Sequence, residues 1–256
     1  MRILSPHLIL LILLFAAPLG AQIVNIEEQR ITGTNDSLHW YGHLRGGVSL
    51  VRVRQQSLQL LGESRVQYKN GNHLALILLN VNLLRAGGND FSKQAFGHLR
   101  YNYDLSNTWT WEAYAQIQTS PLQLLRQRLL TGTGPRWRAM VSGDGRQRLY
   151  LGASWLWEHN VFTEPYKDQN WNRFSSYVSV TLRAGNHTTL TGTTYWQPVW
   201  GLIKNYRVST DWLLKVAITS RIALTVDFTY NLDKNLPPEA PEATYAWRNG
   251  ITWRLL

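Results

Sequence analysis

The stretch that decides the fold is "RYNYDLSNTWTWEAYAQIQ", Arg100 to Gln118. Tyr101, Tyr103, Trp109, Trp111, Ala113, Ala115 and Ile117 alternate with Arg100, Asn102, Asp104, Glu112, Gln116 and Gln118. A period of two places alternate side chains on opposite faces of a strand. The break at "DLSNT" reads as the turn of a hairpin. A three-residue loop at 105–107 would set Arg100 opposite Glu112, an opposite-charge cross-strand pair.

The same period recurs along the chain, broken by turn signals, and no long stretch shows a helical period. About twelve strands are expected, at 38–51, 57–69, 72–84, 91–104, 108–119, 124–138, 147–159, 171–184, 188–197, 205–217, 221–231 and 243–255. Each is close to the roughly ten residues that cross a bilayer at a tilt. Connections on one side are short: "NG" at 70–71, "LSN" at 105–107, "SGDG" at 142–145, "GN" at 185–186, "TS" at 219–220. On the other side most are longer, at 85–90, 160–170, 197–203 and 232–243. That alternation describes an up-and-down barrel with tight turns on one rim and loops on the other. "NG" is the sharpest single cue, since a type I′ turn needs positive φ at both central residues.

One face of the strands is apolar, as in Leu58, Leu60, Val66, Ile77, Leu79, Val81, Val178, Val180, Leu182, Leu214, Leu224 and Val226. The aromatics decide which way that face points. Trp40, Tyr68, Tyr101, Tyr103, Trp109, Trp111, Trp137 and Trp253 gather at the short-turn rim. Trp155, Trp157, Trp171, Trp196, Tyr206, Tyr230, Tyr245 and Trp247 gather at the other. Two aromatic belts around an aliphatic band are what a bilayer selects, because these rings favour the headgroup level. The fold expected is therefore all-β, a transmembrane up-and-down antiparallel barrel of about twelve strands, with the polar face inward.

The leader supports export. "MRILSPHLILLILLFAAPLGAQ" has one basic residue, an apolar run too short to span a membrane, and small residues near Ala21. Residues 1–21 read as a signal peptide, 22–37 as a periplasmic lead segment, and 38–256 as the barrel. An outer-membrane location follows, with the lipid bilayer and the outer-membrane assembly machinery as partners and no nucleic acid. The chain has no Cys, so it has neither disulfides nor thiolate zinc sites.

The charge is basic, with 26 Lys and Arg against 16 Asp and Glu. Much of it falls on the inward face. The lumen is expected to be lined by Arg45, Glu63, Arg65, Arg100, Glu112, Arg126, Arg128, Arg173, Arg207, Asp211, Asp227 and Arg248. Arg136, Arg183, Arg221, Arg254, Asp104 and Glu158 complete the charged inventory. Two readings of this lining stand side by side. Unpaired lumen cations would set a field that favours anions in transit. Arginine–carboxylate ladders would instead brace a closed interior. A barrel of twelve strands lies between the filled eight-stranded and the open sixteen-stranded cases.

Enzymatic chemistry has little support. His43 and His98 share the polar face with Ser49 and Asn102, which is a loose grouping without a nucleophile motif. His39 and His43 lie four apart in a strand, too far for one metal ion. No catalytic residue, metal or cofactor is expected.

"FGHLRYNYDLSNTWTWEAYAQIQTSPLQLLRQRLLTGTGPRWR" from Phe96 resembles the YdiY-like, salt-stress-associated outer-membrane family of unknown function, of the DUF481 type. The aromatic hairpin, Glu112, Gln116, Gln118, Arg128, "GTGPR" (Gly132, Gly134, Arg136) and the later Glu158 carry the likeness, and "NIEEQR" near the start fits it. The resemblance implies an outer-membrane barrel and supplies no reaction. A small passive channel for anionic or polar solutes is the leading expectation. A plugged structural or stress-response barrel is the alternative, and a membrane-barrel hydrolase the third.

Overall fold

A computed structural model describes residues 39–52, 56–86 and 89–253, with only the backbone of 86 and 89–92. The leader, the lead segment 22–37 and Arg254 lie outside the described residues. Twelve strands form one antiparallel sheet in strict chain order. They are β1 (Trp40–Arg52), β2 (Gln56–Asn70), β3 (His73–Ala86), β4 (Asn89–Asp104), β5 (Trp109–Ser120), β6 (Leu125–Val141), β7 (Arg148–Phe162), β8 (Gln169–Ala184), β9 (Thr188–Val199), β10 (Leu202–Ala217), β11 (Ile222–Asp233) and β12 (Ala243–Trp253). All twelve strands fall where the alternation placed them, within a few residues. Among the described residues no ladder joins β12 back to β1. The sheet is nonetheless strongly curled, since Arg128 on β6 reaches Asp233 at the end of β11, five strands on.

The connections depart from expectation in detail. In the first short turn the central pair is Gly71–Asn72, because Asn70 already pairs with His73. Only Gly71 has positive φ there, at 52°. Glycine alone at the first central position is the II′ pattern, not the I′ turn expected from "NG". In the opening hairpin Leu105 N–H bonds Trp109 O, so the loop is 106–108. Glu112 therefore lies opposite Asn102, and Arg100 lies opposite Tyr114. One connection expected to be long is tight: β9 and β10 run on to leave only 200–201, with Gly201 at φ 74°. At 85–90, β3 and β4 extend to 86 and from 89, and 87–88 lie outside the described residues. The long connections on that rim are 163–168 and 234–242.

Polarity is inverted relative to a soluble protein. From β4 to β10 the concave face is buried and mostly polar, including Arg100, Glu112, Arg128, Arg136, Glu158, Arg173 and Arg207. The convex face is apolar and exposed: Leu79, Val81, Leu99, Ile117, Val178, Leu182 and Leu224 are all in the open. Soluble proteins rarely expose so continuous an apolar surface. The concave rings fit because glycines make room for them. A Cβ at Gly152 would lie 2.0 Å from the Tyr177 ring, and one at Gly132 would lie 2.4 Å from that of Tyr114.

Candidate functional site: the charged interior

Two buried clusters occupy the concave side. The first lies toward the short-turn rim and centres on Glu112. Its Oε2 accepts from Arg100 Nη1 at 3.2 Å and from the Tyr177 hydroxyl at 2.7 Å. Its Oε1 accepts from Asn102 Nδ2 at 3.0 Å and Arg136 Nη1 at 3.5 Å. Aromatic faces hold the guanidiniums: Arg136 sits 3.8 Å over Tyr150, and Arg100 5.1 Å over Tyr114. Such stacking suits the planar, weakly hydrated guanidinium.

The second cluster lies toward the loop rim. Glu158 is fully buried (0% exposed), as is Arg173. Arg207 Nη2 reaches Glu158 at 2.8 Å, Arg173 Nη2 at 3.3 Å and Arg128 Nε at 3.8 Å. Asp233 is shared by Arg128 at 2.9 Å and Arg207 at 3.8 Å. Amides complete the shell. Asn160 accepts from Arg128 Nε at 2.7 Å and donates to Glu158 at 2.8 Å. Gln197 Oε1 accepts from Arg207 Nε at 2.8 Å, while its Nε2 donates to Ser175 at 2.9 Å. A buried charge is tolerated only when paired and hydrogen-bonded, and here each carboxylate has several partners.

The expected lining residues are placed as follows. Arg100, Glu112, Arg128, Arg173 and Arg207 come together in these clusters. Glu63, Arg65, Asp211, Asp227 and Arg248 are half-buried on the same face, and Arg248 pairs with Asp227. Arg45 lies opposite Glu63 but is exposed, on β1 at the open edge of the sheet. Arg126 corrects the expectation. The register shifts between Leu125 and Gln127, so Leu125 turns inward and Arg126 is exposed. A bulge resets the alternation by one residue, which period two alone cannot show. Asp233 was hidden by its position, since the alternation ended β11 at 231 and gave this residue to a loop.

The aromatics also sort by face. Trp40 packs against Tyr68 at 4.7 Å and Trp109 against Trp137 at 6.1 Å. Tyr101, Tyr103, Trp111 and Trp253 are exposed on the same convex side. At the other rim Trp155, Trp196, Tyr245 and Trp247 are exposed. Trp157, Tyr206 and Tyr230 are half-buried. Trp171 does not belong with them: it lies opposite Glu158 in the ladder, and so shares the concave face with Arg173. Trp200, 72% exposed, also stands at this rim.

The loose histidine grouping is not assembled. His98 is buried on β4 and its Nδ1–H donates to Gln116 Oε1 at 3.2 Å. His43 and Ser49 are three strands away on β1. Among the described residues no group of three or more His, Asp or Glu is placed to hold a metal.

Twelve up-and-down strands, apolar outside and ion-paired inside, define a protein of the antiparallel β-barrel class. The chain belongs to the family described as "Protein of unknown function, DUF481", which matches residues 47–248. It is the family that the aromatic hairpin resembled. No curated protein matches the chain. A solved structure described as "NanC porin structure in rhombohedral crystal form" is similar, at 12% identity and a TM-score of 0.45, covering 85% of this chain and 98% of that one.

Proposed function

We propose that this protein is an outer-membrane β-barrel, exported by its 1–21 leader, that stands in the bilayer with a charge-braced, closed interior. The carrying observation is the Glu158 cluster. Three guanidiniums and two carboxylates from β6, β7, β8, β10 and β11 meet with side-chain exposures between 0 and 7%. These five side chains fill the interior at this level, which supports a closed lumen over an open one. The apolar, aromatic-edged exterior supports residence in lipid. In this reading the longer loops, 163–168 and 234–242, face the outside of the cell.

A small passive channel for anionic or polar solutes is the second reading. Its support is the sign of the interior, where guanidiniums outnumber carboxylates around Glu158 and Asp233. Planar-bilayer recording separates the two. The closed barrel predicts no unitary conductance in the purified, folded chain across the voltage range. Steady unitary events whose reversal potential favours anions would reject it and install the channel.

A further inference from the structure

Between the two clusters lies a cavity of about 50 Å³. That is room for a few waters, or one small ion. Arg100, Arg128, Arg207, Gln118, Gln197, Ser209 and Asp233 are among its walls. Its charge is unbalanced. Among the described residues Arg128, Arg173 and Arg207 share Glu158 and Asp233, so three cations face two anions. Donors are left over on the same walls. Arg100 Nε and Ser209 Oγ are buried and lack a hydrogen-bond partner among the described residues, as do His98 Nε2 and the acceptor Gln123 Oε1 on the same walls.

A buried, unmatched cation is costly unless an opposite charge joins it. Burying a pair with a spare guanidinium, beside a polar cavity with spare donors, is the chemistry of an anion site. We propose that this cavity binds one small monoanion, such as a halide or formate, as a structural part of the folded barrel. The site is made by residues from β4, β5, β6, β9, β10 and β11, so its occupant ties distant strands together. The proposal is independent of whether the barrel conducts, since an occluded ion needs no path through the membrane.

The test uses the full mature chain folded in neutral detergent. Bromide is exchanged for a bulky sulfonate anion at constant ionic strength, which holds screening fixed. Because only the folded state has the site, the unfolding constant should fall about tenfold for each tenfold rise in bromide above its Kd. Gln197→Glu puts a carboxylate on Arg207 Nε within nearly the same shape, and so balances the cluster. It should remove the bromide dependence and unfold, without bromide, at denaturant concentrations no lower than the parent needs with bromide saturating. Gln118→Glu supplies the same charge from another wall should Gln197→Glu fail to fold. In crystals grown with bromide, anomalous density should sit among Arg100, Arg207 and Ser209. A parent whose unfolding ignores the exchange overturns the proposal, as does a carboxylate variant that folds yet responds like the parent, or bromide density confined elsewhere.

Discussion

Glu158 shows what a single side chain can carry. It is ion-paired with Arg128, Arg173 and Arg207 and accepts a hydrogen bond from Asn160, in full burial. Glu158→Gln keeps the shape and removes the charge. Breaking a buried pair by removing one partner costs roughly 3–5 kcal/mol, because the guanidiniums remain behind uncompensated. Urea unfolding in vesicles should register a loss of that order, and a loss below about 1 kcal/mol would mean that the cluster is hydrated. The turn residue Asp144 behaves in the opposite way, at the water-facing edge. The Ser142 hydroxyl and the Arg146 N–H hold its carboxyl below the usual range. A lowered folded value means that the turn's contribution is whole at neutral pH and fades only in acid.

At the scale of the strand, the informative unit is which face a residue occupies. Leu224 on β11 points outward and is 40% exposed, between Val216 on β10 and Ile251 on β12. Val178, outward and 40% exposed near the middle of β8, is the sharper probe: Val178→Arg should cost roughly 2–4 kcal/mol in folding into bilayers. Equal folding of variant and parent would show that this face does not meet lipid. Strand existence was legible because period two repeats so steadily, and even the polar face could be named. What could not be read were the events that break the period. The bulge at Arg126 and the shift of the "NG" turn by one residue each depend on hydrogen bonds between strands. Trp171 misleads for a related reason: its ring suggests the aromatic belt, while its parity with Arg173 puts it on the concave face.

At the scale of the molecule, the two rims differ. The loops 163–168 and 234–242 extend one, and the turns at 71–72, 106–108 and 142–147 close the other. In the proposed orientation the longer loops face the outside of the cell. The chain has no Cys, so a single introduced one labels cleanly. Asp168→Cys should react with an impermeant maleimide on intact cells, and Asp144→Cys should react only after lysis. The reverse pattern would invert the barrel. Sequence showed that charges gather inside; it did not show how they pair. Pairing such as Arg128 with Asp233 spans 105 residues and depends on how tightly the sheet curls. Nothing in a local window encodes that distance.

The same 105-residue span bears on how the barrel comes into being. Every ladder in the sheet joins chain neighbours, so strands can zip on one hairpin at a time at small loop-closure cost. The Glu158 cluster cannot keep that pace. Arg128 arrives with β6, Glu158 with β7 and Arg173 with β8, but Arg207 and Asp233 come only with β10 and the end of β11. Asp233 is thus a latch that closes after the ladder is mostly laid. Interactions formed after the transition state govern escape from the folded state more than entry to it. Asp233→Asn should therefore speed unfolding by about the whole of its stability loss and leave the refolding rate nearly unchanged, as stopped-flow fluorescence of the tryptophans would record. A slowed refolding rate would place the latch early, and make the charged interior a guide for assembly.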